Sequence, residues 1–421
     1  MSAAYLKARL LSIVPRRVFH MNKHAASAMA SVLLLTLFAV NVGCTVEPDG
    51  LSPAEARRLE EAVRASDIDR DEVVVFFNTA AHRDKDGDSW IIPIHGVIYE
   101  PNVSVHRRRA MVLALGRFAD DSEDLILESR NLIERLDYFL VDNERGQDIA
   151  VRIGDKVFEV GESAADGHFD DTIRLSDAEV KRLIKAGGGK SNALEYEAIT
   201  PASDERKFTG QVQLIGPSGL SIISDIDDTI KHSQVGDPEA VLENTFLRDF
   251  QPIPGMPKIY QACEKQETAF HYVSGSPWQL YLPLVKFLAA EGYPRGSFDL
   301  KQFRLKDPST AVGMLNSPQE SKSAAIERIL SEFPQRRFIL IGDSGERDPE
   351  IYGEATGAHR DQVVGIFIRN VTHDKMEDAR FQKAAAELDG VTFHLFNRPE
   401  EIQPLIENLQ RQYGAPSASL P

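Results

Sequence analysis

Between Glu72 and Gly216 apolar positions come in short runs, many alternating with polar ones, and each run ends at a Gly, Asp or Asn cluster. "EVVVFFNTA" and "SWIIPIHGVIYE" are β-rich and joined by "HRDKDGD", where Asp86-Gly87 signals a hairpin. The acids of that loop do not make a calcium site, because the glycine comes too early and no glutamate closes it. Residues 106–135 read as helical, with acids and apolars at mixed spacing. β-like runs return at "YFLVDN", "IAVRIGDKVFEVG", "HFDDTIRLS", "KSNALEYEAIT" and "FTGQVQLIG". Short strands with such turns predict a β-sandwich-like domain over 70–216. The glycines of "KAGGGKSN" lack phosphate-loop spacing and read as a turn.

From Leu220 the pattern changes class. "LSIISDID", "TAFHYVSG", "RFILIGDSG" and "QVVGIFIRN" are apolar strand runs, with helical stretches at 255–265, 278–291, 320–331 and 376–388. Strand and helix in alternation predict parallel βαβ units, so the fold class is α/β. Such sheets bind ligands at the carboxyl ends of their strands, which is where the polar residues fall. This second domain is placed at 217–412, with a tail over 413–421. Residues 44–69 read as a linker and a helix, capped at Ser52 with Pro53 in the first position.

Residues 1–43 read as a targeting segment. "AASAMASVLLLTLFAVNV", 25–42, is free of charge, follows a basic stretch and precedes Gly43-Cys44. The order resembles a bacterial lipoprotein signal, although Asn41 is off its pattern. It implies an exported, membrane-anchored envelope protein lipidated at Cys44. Arg16-Arg17 also resembles a twin-arginine motif. A cleaved signal, an uncleaved span and a start at Met21 stay open. The chain carries 48 Lys and Arg against 64 Asp and Glu. Five of those bases lie in residues 1–43, leaving 43 against 64 and a net charge of −21. So acidic a body argues against nucleic acid as partner. "HRRR", 106–109, reads as a solvated patch. Two cysteines give no disulfide framework, and Cys263 reads as a buried apolar residue.

The strand ends carry the candidate chemistry. Asp225, Asp227, Asp228 and Thr229 follow the first run, and Ser274, Gly275, Ser276 and Pro277 the second. Lys322 opens a helix, and Gly342-Asp343 with Asp348 follows the third run. Ser276-Pro277 reads as a helix cap and first turn, aiming a helix start at an anion. One such Asp is usually a turn former. Four motifs at successive strand ends are not explained that way.

That order resembles the haloacid dehalogenase-like superfamily, in its DxDxT phosphatase branch. "FHYVSGSPWQLY" and "IGDSGERDPEIY" resemble the actin-patch-associated phosphatidate phosphatase family, over about residues 210–410. The resemblance implies a haloacid dehalogenase-like parallel sheet domain preceded by the smaller β-sandwich-like one. It also implies magnesium dependence, with the backbone carbonyl of Asp227 among the metal ligands. A phosphate ester would add charge to clustered carboxylates, and Mg²⁺ removes that conflict. Asp225 and Asp343 are its expected side-chain ligands. Asp225 is the expected nucleophile and Asp227 the acid and base. Ser274, Gly275 and Ser276 would bind the phosphoryl oxygens and Lys322 would add positive charge. Thr229 would shape the turn, and Asp348 would hold a water or orient Lys322.

The spacing leaves no room for a large cap domain, so an open site for phosphatidate at a membrane surface is expected. Phe246, Leu247, Phe250, Ile253 and Met256 form either an acyl-chain lip or a cover for the sheet. Another phosphomonoester, a phosphoprotein, or partner binding by the β-rich domain of a surface lipoprotein are the alternatives.

Overall fold

The computed structural model describes residues 66–414, apart from 102, 117–128, 188–191, 202–203, 303–318, 387 and 389. The expected targeting segment, Cys44, the helix after it and most of the glycine turn therefore lie outside the described residues. The fold is mixed α/β, built on one mixed and one parallel sheet.

The first sheet has nine strands: β1 (Val73–Phe76), β2 (Thr79–Arg83), β3 (Ser89–Glu100), β4 (Asp142–Asn143), β5 (Asp148–Ile153), β6 (Lys156–Glu162), β7 (His168–Ser176), β8 (Ala193–Ala198) and β9 (Thr209–Leu214). β3 is its spine. Its inward side chains Trp90, Ile92 and Ile94 are fully buried, while its neighbours in between stay partly exposed. That is period-two burial on a one-sided sheet. β2 pairs with β3 on one side and with β9 on the other. Through it two arms of the sheet enclose one core, in which Trp90 and Phe169 meet Val151, Tyr196 and Val212. Helices α1 (Val105–Gly116), α2 (Arg130–Leu140) and α3 (Asp177–Ala186) accompany this sheet.

"YFLVDN" is not a strand. Leu132, Leu136, Phe139 and Leu140 recur at helical spacing and are buried, and Ser129 caps the helix by accepting from the Leu132 N–H at 3.3 Å. Only Asp142 and Asn143 remain as a two-residue strand. The "HRRR" bases lie in the first turn of α1, where Arg107 pairs with Asp142 and Arg108 with Asp137, each at 2.8 Å.

The second sheet is parallel throughout, in the order β12 (Ser297–Lys301), β11 (Ala269–Pro277), β10 (Leu220–Ser224), β13 (Arg337–Asp343), β14 (Val363–Arg369), β15 (Thr392–Phe396). The chain adds strands outward from β10 in one direction, then returns to begin at β13 in the other. The order therefore reverses between β10 and β13, and the carboxyl ends on either side of that reversal form the natural crevice. β10 is buried at all five positions, as expected of a strand covered on both faces. Helices α4 (Pro238–Leu242), α5 (Met256–Glu264), α6 (Tyr281–Ala290), α7 (Gln319–Glu332), α8 (Asp348–Ala358), α9 (Ala379–Ala385) and α10 (Gln403–Tyr413) accompany it. A π-helical turn, Glu243–Leu247, follows α4 directly.

Two features fix the sheets to each other. The backbone of Asn78 donates to the Tyr281 hydroxyl at 2.8 Å and accepts from the Phe298 N–H at 2.9 Å. Around it Phe77 stacks on His95, and Trp278 meets His168 edge-on. Arg336, itself buried, binds the strap between the sheets. It donates to the carbonyls of Gly216, Ser218 and Leu220 and to the Ser221 hydroxyl. Cys263 is buried in α5, and burial raises its thiol to about 12, so it is an inert apolar filler.

Candidate active site

Asp225 is the first residue past β10. Its backbone N–H donates to the Ile341 carbonyl at 2.9 Å, so sheet pairing runs one residue beyond the strand and fixes the side chain in the crevice. The side chain has no solvent exposure. Oδ1 accepts from Lys322 Nζ at 2.8 Å, and Oδ2 has no partner. Asp343 ends β13. Its Oδ1 accepts from the N–H groups of Gly345 and Glu346, at 2.6 and 3.2 Å, and its buried Oδ2 again has no partner. Asp348 opens α8, accepts from the Asp343 N–H at 3.1 Å and pairs with Lys322. A Cβ at position 342 would lie 2.2 Å from the Asp348 carboxylate, so the glycine before Asp343 is dictated by this packing.

Oxygens of Asp225, Asp343 and Asp348 lie within 4.8 Å of one another. Lys322, 3% exposed and in the first turn of α7, touches Asp225 and Asp348 and reaches Glu346 at 3.3 Å. Four carboxylates thus crowd one ammonium. Burial pushes the Asp225 carboxyl well above the usual range, Lys322 opposes this, and the neighbouring acids add to it. Burial and the charges of Asp348 and Glu346 push Asp343 up in the same way. Burial alone would depress Lys322, but Asp225, Asp348 and Glu346 hold it above its ordinary value. Hard oxygen donors, two of them orphaned and buried, with surplus negative charge, fit a divalent cation. The trio brings together Asp225 and Asp343, the two side chains that the sequence reading names as ligands. Its third side chain is Asp348, which the sequence places only in support.

The Asp227 side chain belongs to a different network. Oδ1 meets Lys231 Nζ at 2.8 Å and accepts from the Ser233 hydroxyl at 2.7 Å. Oδ2 accepts from the hydroxyls of Ser276 and Ser274, at 2.7 and 3.1 Å. Burial acts to raise this carboxyl. Lys231 and the hydroxyls of Ser233 and Ser276 outweigh it and hold the group well below the usual range. Lys231, Ser233 and Glu346 are the residues that sequence reasoning missed. The available signal for Lys231 was its place four residues after Asp227.

Asp228 makes the turn between these networks. It is left-handed, at φ 51°, and its carboxylate accepts from the N–H groups of Ser233, Gln234 and Val235 at 2.9, 2.9 and 2.6 Å. Asp228→Ala is expected to cost about 1–3 kcal/mol in urea unfolding, because three donors lose one acceptor. Asp228→Asn should recover part of that loss. Thr229 is fully buried in the same turn and its hydroxyl has no partner. Asp237, close in sequence, instead caps α4.

Ser274, Gly275 and Ser276 lie in the last residues of β11, and Gly275 and Ser276 line a small cavity with Asp227, Phe139, Phe246 and Glu346. The expected cap at Ser276-Pro277 is corrected here. β11 runs through Pro277, because pairing with β12 resumes at Pro277 and Lys301 after an irregularity. A 3-10 turn, Trp278–Leu280, then precedes α6, which has no side-chain cap. Ser276 spends its hydroxyl on Asp227 instead. Of the two readings of the apolar run, the cover is the one that fits. Phe246, Phe250, Ile253 and Met256 are buried in the core and Leu247 packs against it, so they cover the sheet. His271, inside β11, is packed rather than ligating: it bonds Ser297 at 2.9 Å, and burial lowers it to about 3.

Residues 220–370 match the family model described as the catalytic domain of phosphatidate phosphatase APP1. Phosphatidate phosphatase APP1 of Saccharomyces cerevisiae is 37% identical over 171 residues, 40% of this chain and 28% of that protein. An uncharacterised protein of Schizosaccharomyces pombe is 31% identical over 194 residues, 44% of this chain and 31% of that protein. The chain thus spans under a third of the length of either relative. A solved class C acid phosphatase from Bacillus anthracis is 12% identical and covers 45% of this chain and 78% of its own, with a TM-score of 0.23. An overlay that loose carries no argument. The resemblance to the actin-patch-associated phosphatidate phosphatase family is borne out for residues 220–370, which match the model of that family's catalytic domain.

These relatives overturn one expectation. Both are yeast proteins, so the reading of an exported bacterial lipoprotein anchored at Cys44 does not stand. It rested on an apolar stretch between a basic segment and a cysteine, and composition alone does not separate a lipoprotein signal from other apolar segments. No helix among the described residues is long and apolar enough to cross a membrane.

Proposed function

We propose that the protein is a Mg²⁺-dependent phosphatidate phosphatase, releasing diacylglycerol and phosphate through an aspartyl-phosphate on Asp225. The domains we read are a haloacid dehalogenase-like one over 217–412 and a β-sandwich-like one over 70–216. The observation that supports this most is Asp225 itself. It is a fully buried carboxylate with one orphaned oxygen, held by Lys322 between Asp343 and the serines of β11, inside a match to a phosphatase catalytic domain.

In this reading the Asp225 carboxylate attacks phosphorus in line, and the bond from phosphorus to the glycerol oxygen breaks. Asp227 gives the departing oxygen a proton. It then takes one from the water that hydrolyses the aspartyl-phosphate, so phosphate leaves and Asp225 is regenerated. The network around Asp227 keeps it ionised at rest. An arriving phosphate monoanion is a like charge beside it, raises its proton affinity and hands it the proton that the departing oxygen then receives. The hydroxyls of Ser274 and Ser276 turn from Asp227 to the phosphoryl oxygens, joined by the N–H groups of Gly275 and Ser276. Lys322 keeps positive charge beside the transferring group. Thr229 supports the turn and Asp348 orients Lys322. Asp225, Asp343 and the carbonyl of Asp227 would hold the Mg²⁺, which when bound neutralises phosphoryl charge. The partner is phosphatidate at a membrane surface, and not nucleic acid.

The test is phosphate release from phosphatidate in mixed micelles, with Mg²⁺ and with chelator. We expect release that chelator abolishes and added Mg²⁺ restores. Metal-dependent release from a small aryl phosphate alone would keep the chemistry and reject the lipid. Silence on both would reject the phosphatase.

A further inference from the structure

Lys231 belongs to none of the four motifs, yet it is a lysine with no solvent exposure. Its position follows from the turn that Asp228 makes. The N–H groups of Ile230 and Lys231 both donate to the Ile226 carbonyl, and the Asp228 N–H donates to the Lys231 carbonyl at 2.7 Å. The chain thus folds back, and Lys231 pairs with Asp227 as a short bridge. Its ammonium lies 2.8 Å from Asp227 Oδ1, bonds the Ser233 hydroxyl and sits 4.9 Å above the Phe250 ring. The ring is itself held by Arg135, whose guanidinium lies 3.9 Å from the ring centre and donates to the carbonyls of Thr245 and Arg248.

The two oxygens of Asp227 are thereby divided. Lys231 and Ser233 occupy Oδ1, while Oδ2 faces Ser274 and Ser276, the second of which lines the cavity. A carboxylate with one anchored oxygen cannot swing about its side-chain bonds, so the other is kept aimed. General acid and base work needs such aim first of all. We propose that Lys231 is a positioning residue for proton transfer: it holds Asp227 so that Oδ2 meets the leaving oxygen of the ester. This rests on the reaction proposed above, with Asp227 as the acid. It also bears on substrate class. An alkoxide such as that of a glyceride is a poor leaving group and needs the proton, whereas a nitrophenolate leaves without one.

Leaving-group dependence tests the proposal. Full-length Lys231→Met is compared with the wild type on phosphatidate in mixed micelles and on dinitrophenyl phosphate, with Mg²⁺ in excess. Expected is a fall in kcat of roughly 10²-fold on the lipid, the usual scale of proton transfer, with KM little changed and only a few-fold loss on the aryl ester. Lys231→Arg, which keeps the charge and a donor, should recover most of the lipid rate. Equal losses on the two esters, or a change confined to KM, would overturn the role of Lys231. Should Lys231→Met fail to fold, the same ratio of losses is read from Lys231→Arg and Lys231→Gln. A second check is Asp227→Asn with and without Lys231→Met: no further loss in the double variant supports the proposal, and multiplied losses refute it. If the wild type cleaves neither ester, the phosphatase reading itself fails, which is a separate result.

Discussion

Asp225→Asn is expected to lower phosphate release by on the order of 10³-fold or more, while the chain stays folded. The two effects separate because of the surroundings of the group. Asparagine has nearly the same shape and its carbonyl still accepts from Lys322, so packing is kept. Its amide removes one of four crowded negative charges, and with it a carboxyl that burial and the neighbouring acids push up. The nucleophilic oxygen, by contrast, is lost outright. Initial rates on phosphatidate and the urea midpoint of the same preparation are the measurements. Turnover within tenfold of the wild type would remove Asp225 as nucleophile. A large drop in the midpoint would mean that its charge is structural.

Lys322→Met is expected to behave in the opposite way and harm both. Lys322 is the ammonium between Asp225, Asp348 and Glu346, all of them buried or nearly so. Losing one partner of such a buried group costs about 3–5 kcal/mol, because the remaining charges stay in place without their counterion. The rate should fall by roughly 10²- to 10³-fold, the scale of losing one charge aimed at the transition state. Two conditions should rescue the fold. Mg²⁺ supplies positive charge to the same carboxylates and should raise the midpoint of the variant more than that of the wild type. Acid should help as well. A carboxyl whose folded pKa stands above its unfolded value penalises the fold at higher pH, and the penalty fades as pH falls through the folded value toward the unfolded one near 4. The deficit of Lys322→Met should therefore shrink on mild acidification. A deficit that stays constant with pH and with Mg²⁺ would show that lost packing, not charge, is the cause.

Much of this fold was legible because burial imposes period on the sequence. "SWIIPIHGVIYE" and "HFDDTIRLS" became strands at Ser89–Glu100 and His168–Ser176, and the four long apolar runs became the central strands of the parallel sheet. What escaped was at the edges. β12 and β15 flank that sheet, and half-covered edge strands carry little apolar signal: β15 has a single buried residue, Phe396. "YFLVDN" was lost for the converse reason. Its local β-rich composition was overruled by Leu132 and Leu136 upstream, which continue the same buried helical stripe. In the site, the placement of Asp225, Ser274 and Asp343 at the crevice was legible because residues at the carboxyl ends of parallel strands have one place to go. The expected helix start at Ser276-Pro277 was wrong because strand pairing at Lys301 outweighs a local capping preference. Lys231 was missed although it stands four residues after Asp227, since its approach depends on one left-handed aspartate reversing the chain.

Arg336 has a practical consequence for anyone dividing this chain. The family match begins at residue 220, which invites trimming to that point. Yet the guanidinium of Arg336 draws two of its four acceptors from Gly216 and Ser218. A fragment starting at Leu220 would keep a buried cation and discard half of what solvates it, directly beneath β10, the strand that delivers Asp225. Fragments should therefore begin upstream of Gly216. A poorly behaved fragment from 220 would report on a stranded arginine, not on whether this half of the chain can fold.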